Sequence, residues 1–219
     1  MTEEAAYPPP ARLQQFKADE KRQDWLTPLL DGYYQADQGV HEGIRRETAQ
    51  GRRLACSKGC AACCRSHLTI PVYPLELVGI YWYVIEKTTG AVREQLKNQL
   101  AEFEPDTACP FLVNDSCAIH PLRPMACRQF NVFGKVCEEG EDAYHTRRQD
   151  VLVPIQRYAD DAFFTMLPFY GVKAKGERRK LIKQGAHHRL AKVLQEQEWP
   201  KLAQRMREYD RRNEKDNGG

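Results

Sequence analysis

CSKGCAACC, residues 56–64, places four cysteines within nine positions beside polar Ser57, Lys58 and Arg65. A buried cysteine commonly packs as a small hydrophobe, which explains one cysteine well and four so close together poorly. Thiolates bind zinc or cluster iron when several sulfurs converge on one small volume. Gaps of three and two residues let one loop wrap a metal, with Gly59 helping the turn and Ala61 and Ala62 leaving room inside. Cys63 and Cys64 are neighbours, so their side chains tend to diverge. They suit two metals, two atoms of one cluster, or one ligand and one spare thiol. A disulfide between them is strained.

All eight cysteines lie between positions 56 and 137: Cys56, Cys60, Cys63, Cys64, Cys109, Cys117, Cys127 and Cys137. The second group lies in CPFLVNDSCAIHPLRPMACRQF, residues 109–130. Asn114-Asp115-Ser116 between short apolar runs predicts a tight β-hairpin that brings Cys109 and Cys117 together. Cys127 follows on a short helical turn. Arg123 and Arg128 bracket it and are candidates to offset thiolate charge. His67, His120 and His145 are candidate extra ligands, although each reads more readily as an ordinary satisfied or exposed histidine than as a ligand. His187 and His188 read as solvated.

Helical periodicity surrounds this region. Leu30, Tyr33, Val40 and Ile44 form one stripe of a helix from Thr27 to about Gln50, with Thr27 as cap and Pro28 in the first turn. His67 to Val72 reads as extended. A helix starting at Pro74 turns Leu77, Val78, Tyr81, Val84 and Ile85 to one side. After Gly90, a helix from Ala91 to Phe103 carries Val92, Leu96, Leu100 and Phe103, completing a helical hairpin. Ile155, Ala159, Ala162, Phe163 and Met166 predict another helix. Leu181 to Tyr209 reads as charged surface helices broken near Pro200. The fold class is mainly α: helices around a compact, irregular cysteine-rich metal-binding centre with a small β-hairpin. Residues 1–12 form a flexible start and residues 13–170 a helical domain with its cysteine core at 50–145. Residues 171–219 form charged helices and a mobile tail.

Hydrophobic residues are 42% and charged residues 29% of the 219-residue chain, the balance of a globular protein. A net charge of +3, with acids interleaved among the bases, argues against nucleic acid. The start, MTEEAAYPPP, lacks a secretory pattern, and the longest apolar stretch, Leu77 to Ile85, is too short to insert in a membrane. A cytoplasmic, reducing setting is expected, where clustered cysteines are metal ligands or redox groups rather than structural disulfides. No phosphate loop, GxSxG or HExxH is present, and no thioredoxin-like strands surround the CxxC of Cys60 and Cys63.

The set CxxxCxxCC at 56–64, CPFL at 109–112, CxIH at 117–120 and RPMACRQF at 123–130 resembles the YkgJ-type cysteine-cluster family. That family is described as a zinc- or iron-chelating domain and is often labelled an iron–sulfur oxidoreductase. The resemblance covers roughly residues 50–145. It implies Cys56, Cys60, Cys63, Cys64, Cys109, Cys117 and Cys127 as the chelating set, with Cys137 matching a further cysteine of many members. The first gap is three residues where some members have two, and His120 replaces a usual tyrosine. A similar cysteine pattern in flagellin lysine methylases implies a link to protein modification. Cys56, Cys60 and Cys63 also match the CxxxCxxC of radical enzymes that use S-adenosylmethionine. Ala62 replaces their usual aromatic residue, and no barrel pattern accompanies the match.

Two functional expectations follow. The first is an iron–sulfur protein with a redox, regulatory or protein-modification role and an electron donor or protein as partner. The second is a zinc-stabilised interaction module without catalysis.

Overall fold

A computed structural model describes residues 7–57 and 59–217. With 57% helix and 6% strand the chain is mainly helical, as its periodicity predicts. In chain order the elements are α1 (Lys17–Glu20), α2 (Leu26–Ala49), α3 (Ala62–Ser66), β1 (Pro71–Val72), α4 (Pro74–Glu86) and α5 (Gly90–Ala101). Then come β2 (Leu112–Val113), β3 (Ser116–Cys117), α6 (Met125–Gln129), α7 (Ala143–Thr146), α8 (Gln156–Met166), α9 (Lys175–Lys183), β4 (Lys192–Val193) and α10 (Trp199–Asn217). They belong to two compact units. The first is Met1–Ser57, Pro124–Cys137 and Ala143–Ala191; the second is Lys58–Arg123, Glu138–Asp142 and Lys192–Gly219.

The first unit is built on α2 against α8. Leu30, Tyr33, Val40 and Ile44 are all buried, joined by Leu29 and Ala36. Close approach depends on glycines of α2. A Cβ built at Gly39 would lie 2.6 Å from Cβ of Tyr158, one at Gly43 would lie 2.9 Å from Leu152, and one at Gly32 would collide with Met166. Thr27 is not the helix cap: Trp25 holds that position, and the Thr27 hydroxyl bonds Glu20 from inside the first turn. Within the stretch expected to be a flexible start, the Arg12 guanidinium binds Glu20 and Asp31. Residues 1–6 of the expected flexible start lie outside the described residues. His187, expected in solvent, is 3% exposed. Its ring lies tilted against that of Phe163, with centroids 4.3 Å apart, because a 3₁₀ turn at Ala186–Leu190 folds it inward while His188 stays exposed.

In the second unit, α10 packs on both α4 and α5, whereas α4 and α5 do not pack side by side as the predicted hairpin would. The Tyr73 N–H donates to the buried Glu76 carboxylate at 2.9 Å, fixing where α4 begins. Of the predicted face Val84 is buried and Leu77, Val78, Tyr81 and Ile85 are half-buried, while Leu75, Ile80 and Trp82 are buried beside them. An almost wholly apolar helix carries little periodic signal. On α5, Leu96 and Leu100 are buried as predicted, but Val92 is 43% exposed and Arg93 takes the inner position. Arg93 is held there by Asp210 at 2.6 Å and by the carbonyl of Val84 at 2.9 Å.

Residues 199–209, expected as surface, include the centre of this core: Trp199, Leu202, Ala203 and Met206 are 0% exposed. Pro200 begins a helix instead of breaking one, since a first-turn proline forfeits no intrahelical bond. The helix runs on to Asn217, through most of the tail expected to be mobile; Gly218 and Gly219 lie outside the described residues. The predicted extended run ends in β1, which pairs antiparallel with β4 through Pro71↔Val193 and Val72↔Lys192. Among the described residues no helix is long and apolar enough to cross a membrane. Among the described residues the sheets are two, each two-stranded and antiparallel, unlike the barrel of radical enzymes.

Candidate metal centre

Five cysteines lie in the second unit. Gly59, at φ +85°, turns the chain ahead of exposed Cys60, and α3 then carries Cys63 and Cys64. The Cys109 N–H donates to the Cys64 carbonyl at 2.7 Å, joining the second cysteine segment to the first. The predicted hairpin follows, with Leu112 opposite Cys117 and with Asn114 and Asp115 at φ +48° and +57°. Two left-handed residues make the turn that suits the twist of a two-residue hairpin. Arg65 pairs with Asp115 at its tip.

Several side chains that carried no cysteine-like signal hold this loop. Gln99 of α5 donates to the carbonyls of Pro110 at 2.8 Å and Leu112 at 3.0 Å. Phe111 meets Trp199 edge-on at 4.8 Å. Sequence periodicity makes Gln99 a surface position, and only its two carbonyl partners reveal its role.

All eight cysteines are outside disulfides. In the second unit three thiols form a hydrogen-bonded chain, Cys63 to Cys64 to Cys109. The bond to Cys64, then burial, then the charge Cys64 would carry, push the Cys63 thiol far above its ordinary range. Cys64 is pushed up to about 12, first by its bond to Cys109, with burial and the nearby Cys109 and Cys117 adding to the rise. Burial, and then Cys117, raise the Tyr83 phenol, which brings that ring into the same neighbourhood. The physical content is simple: these sulfurs are too close to ionise together without a positive charge among them.

The other three cysteines lie in the first unit. Cys56 follows the bridge between Leu54 and Phe133, and its sulfur accepts the Val132 N–H at 3.3 Å. Cys127 is on α6. The Cys137 sulfur accepts Nη2 of Arg147 at 3.5 Å. Arg147 was not singled out by spacing, being ten residues from its cysteine.

The arginines and histidines chosen from sequence have other identified partners. Arg128 pairs with Asp37 at 2.7 Å and lies 4.0 Å over the Tyr33 ring, tying α6 to α2. Arg123 meets His120. His67 pairs with Asp142 at 3.1 Å, and His145 meets the Tyr144 ring edge-on.

Cys63, Cys64, Cys109 and Cys117 have the donor chemistry that suits a thiophilic metal. Their thiols close on one another, and among the described residues no group of three or more His, Cys, Asp or Glu side chains stands ready-made around a metal position. Side-chain rotation is therefore part of any loading.

Residues 55–150 match the family model CxxCxxCC, described as "Putative zinc- or iron-chelating domain". No curated protein and no solved structure matches the chain.

Proposed function

We propose, from the match of residues 55–150 to the CxxCxxCC family model, that the chain is an iron–sulfur protein whose cluster is held by Cys63, Cys64, Cys109 and Cys117. The observation that carries this reading is the thiol chain of Cys63, Cys64 and Cys109 with Cys117 in electrostatic reach. A bound cation would supply the positive charge that lets these sulfurs ionise. Thiolates on adjacent residues suit two metal atoms of one cluster better than one small tetrahedral ion. Cys60, on the loop leading into α3, is the remaining thiol of that unit and the candidate for a further ligand. Ligation by all eight cysteines narrows here to the second unit's set.

A cluster supplies one-electron chemistry, which fits a redox, regulatory or protein-modifying role with an electron donor or protein as partner. A zinc-stapled interaction module is the second reading, favoured by the domain's description as zinc- or iron-chelating. Anaerobic purification followed by metal and acid-labile sulfide analysis separates the two. Iron with matching sulfide supports the cluster. Stoichiometric zinc without sulfide would replace it with the module.

A further inference from the structure

The stretch that contains α9 departs from the even charge balance of the chain. Residues 173–189 carry seven Lys and Arg against one acid, Glu177. Their net charge is +6 in a chain that totals +3, so the remainder is acidic on balance. Six of the seven cations are exposed: Lys173, Lys175, Arg179, Lys180, Lys183 and Arg189. None of the six has an ion-pair partner among the described residues, whereas exposed Arg22, Arg45 and Lys201 each pair with a nearby carboxylate, of Asp19, Glu42 and Glu198.

The helix arranges these charges. Arg178 fastens α9 to α8: its guanidinium donates to the Phe164 carbonyl at 3.0 Å and lies 4.0 Å over the Phe164 ring. Leu181 and Ile182 are half-buried with it. On the exposed side, Lys175, Arg179 and Lys183 recur every four residues and form one row, in steps of about 6 Å along the axis at the α-helical rise. Lys180 stands beside that row, while Glu177 shares the Leu181 edge. The 3₁₀ turn Ala186–Leu190 packs back on α9 and carries exposed Arg189.

Between positions 173 and 189, all of them described, no large apolar side chain is exposed; Phe169 precedes the stretch. A protein interface has an apolar centre rich in aromatic residues and poor in lysine, and a membrane-surface helix turns an apolar face outward. This surface offers neither. Its one exposed ring, His188, lies against His187 and Phe163, with centroids 4.0 and 5.9 Å away, so no ring is free to stack on an unpaired base. Cations in a row, without apolar or stacking company, match a regular array of phosphates. Acids elsewhere on the chain weaken the match little, because exposed charges more than about 8 Å apart are largely screened at physiological salt.

We propose that the α9 surface, residues 173–189, binds the phosphate backbone of a nucleic-acid duplex without reading its bases. The surface includes no cysteine and stands apart from the metal reading.

The test titrates the anaerobically purified full chain with a short fluorescent DNA duplex of mixed sequence, from about 50 to 200 mM salt. The logarithm of affinity should fall linearly with that of salt, with a slope of about −3 to −4.5, the value for three to five neutralised phosphates. Lys175→Gln, Arg179→Gln and Lys183→Gln together should take about 0.9 from the slope per cation and weaken binding more than about ten-fold at the lower salt. Arg22→Gln, Arg45→Gln and Lys201→Gln together remove the same charge from paired sites and should change affinity by less than about two-fold. In the unmodified chain the duplex should protect Lys175, Lys180 and Lys183 from acetylation but not Lys201, a readout that needs no variant. No binding at the lowest salt, equal losses in the two triple variants, or tighter binding to the single strand would overturn the proposal. So would capture by phosphatidylserine vesicles or by polyglutamate with none by the duplex. These outcomes are independent of whether the cysteines hold iron or zinc.

Discussion

The N–H of Cys109 donates to the carbonyl of Cys64 at 2.7 Å, so the loop bearing one thiol is pinned to the helix bearing its neighbour. The hydrogen bond of the Cys64 thiol to Cys109 repeats the connection through the side chains. Serine in place of Cys64 or Cys109 preserves the backbone bond and removes a soft ligand. Metal affinity should fall by more than the ~10–100-fold typical of losing an outer-shell partner. Competition with a chelator, followed by metal analysis, reads this directly; unchanged affinity in both variants would remove them from the set.

Gly39→Ala tests the close approach of α2 and α8. Its Cβ would sit 2.6 Å from the Tyr158 Cβ, which is fixed to backbone and cannot swing away. The helix axes must part, at a cost of about 1–3 kcal/mol by the usual scale of overpacking. Thermal melting should show a drop of roughly 2–4 °C per kcal/mol. The same substitution at Gly176, with nothing within 4 Å, should not lower the melting temperature.

Asp210 supports two cations in the second unit, bonding Arg93 and Lys97 at 2.6 Å each. Burial works against its charged form, but the two partners outweigh burial and hold its carboxyl below the usual carboxylate range. Its unfolded counterpart protonates near pH ~3.9. The stabilisation is therefore full above that pH and is lost as pH falls through the lower folded value. Asp210→Asn should cost about 2 kcal/mol at neutral pH, below the full penalty of a broken buried pair because Asp210 is partly exposed. It should also flatten the acid limb of the unfolding curve.

His187 gives a second pH dependence, nearer neutrality. Burial, then the neighbouring His188, lower its affinity for a proton in the folded chain. The unfolded state binds that proton from about pH 6.5 downward, so stability is full above this pH and declines as pH falls toward the folded value. His187→Leu should retain the melting temperature at pH 8 and lose less of it at pH 5.5. An identical pH profile in the variant would contradict the assignment.

What the sequence reveals follows the range of each interaction. The hairpin at Asn114-Asp115 and the start of α4 at Pro74 are local, and both are visible in a few residues. The α2 stripe is equally clear because polar residues alternate with it. The β1–β4 pairing is not visible: Val72 finds Lys192 across the second unit, and two residues of strand leave no pattern. Nor does charge-rich α10 announce that Trp199 and Met206 are fully buried, since its polar face dominates the composition. At the candidate site the cysteine spacing is legible, and so is the hairpin between Cys109 and Cys117. The division of the eight thiols between two units is not. Spacing along the chain cannot show that the Cys56 sulfur accepts the Val132 N–H or that the Cys137 sulfur accepts the Arg147 guanidinium.

The central claim is an iron–sulfur cluster on the second unit's thiols. X-ray absorption at the metal edge of the anaerobically purified chain tests it most directly. The account predicts an iron edge with sulfur in the first shell and a second iron as neighbour, diminished by Cys64→Ser. A zinc edge without iron, or iron surrounded by oxygen and nitrogen, would contradict it.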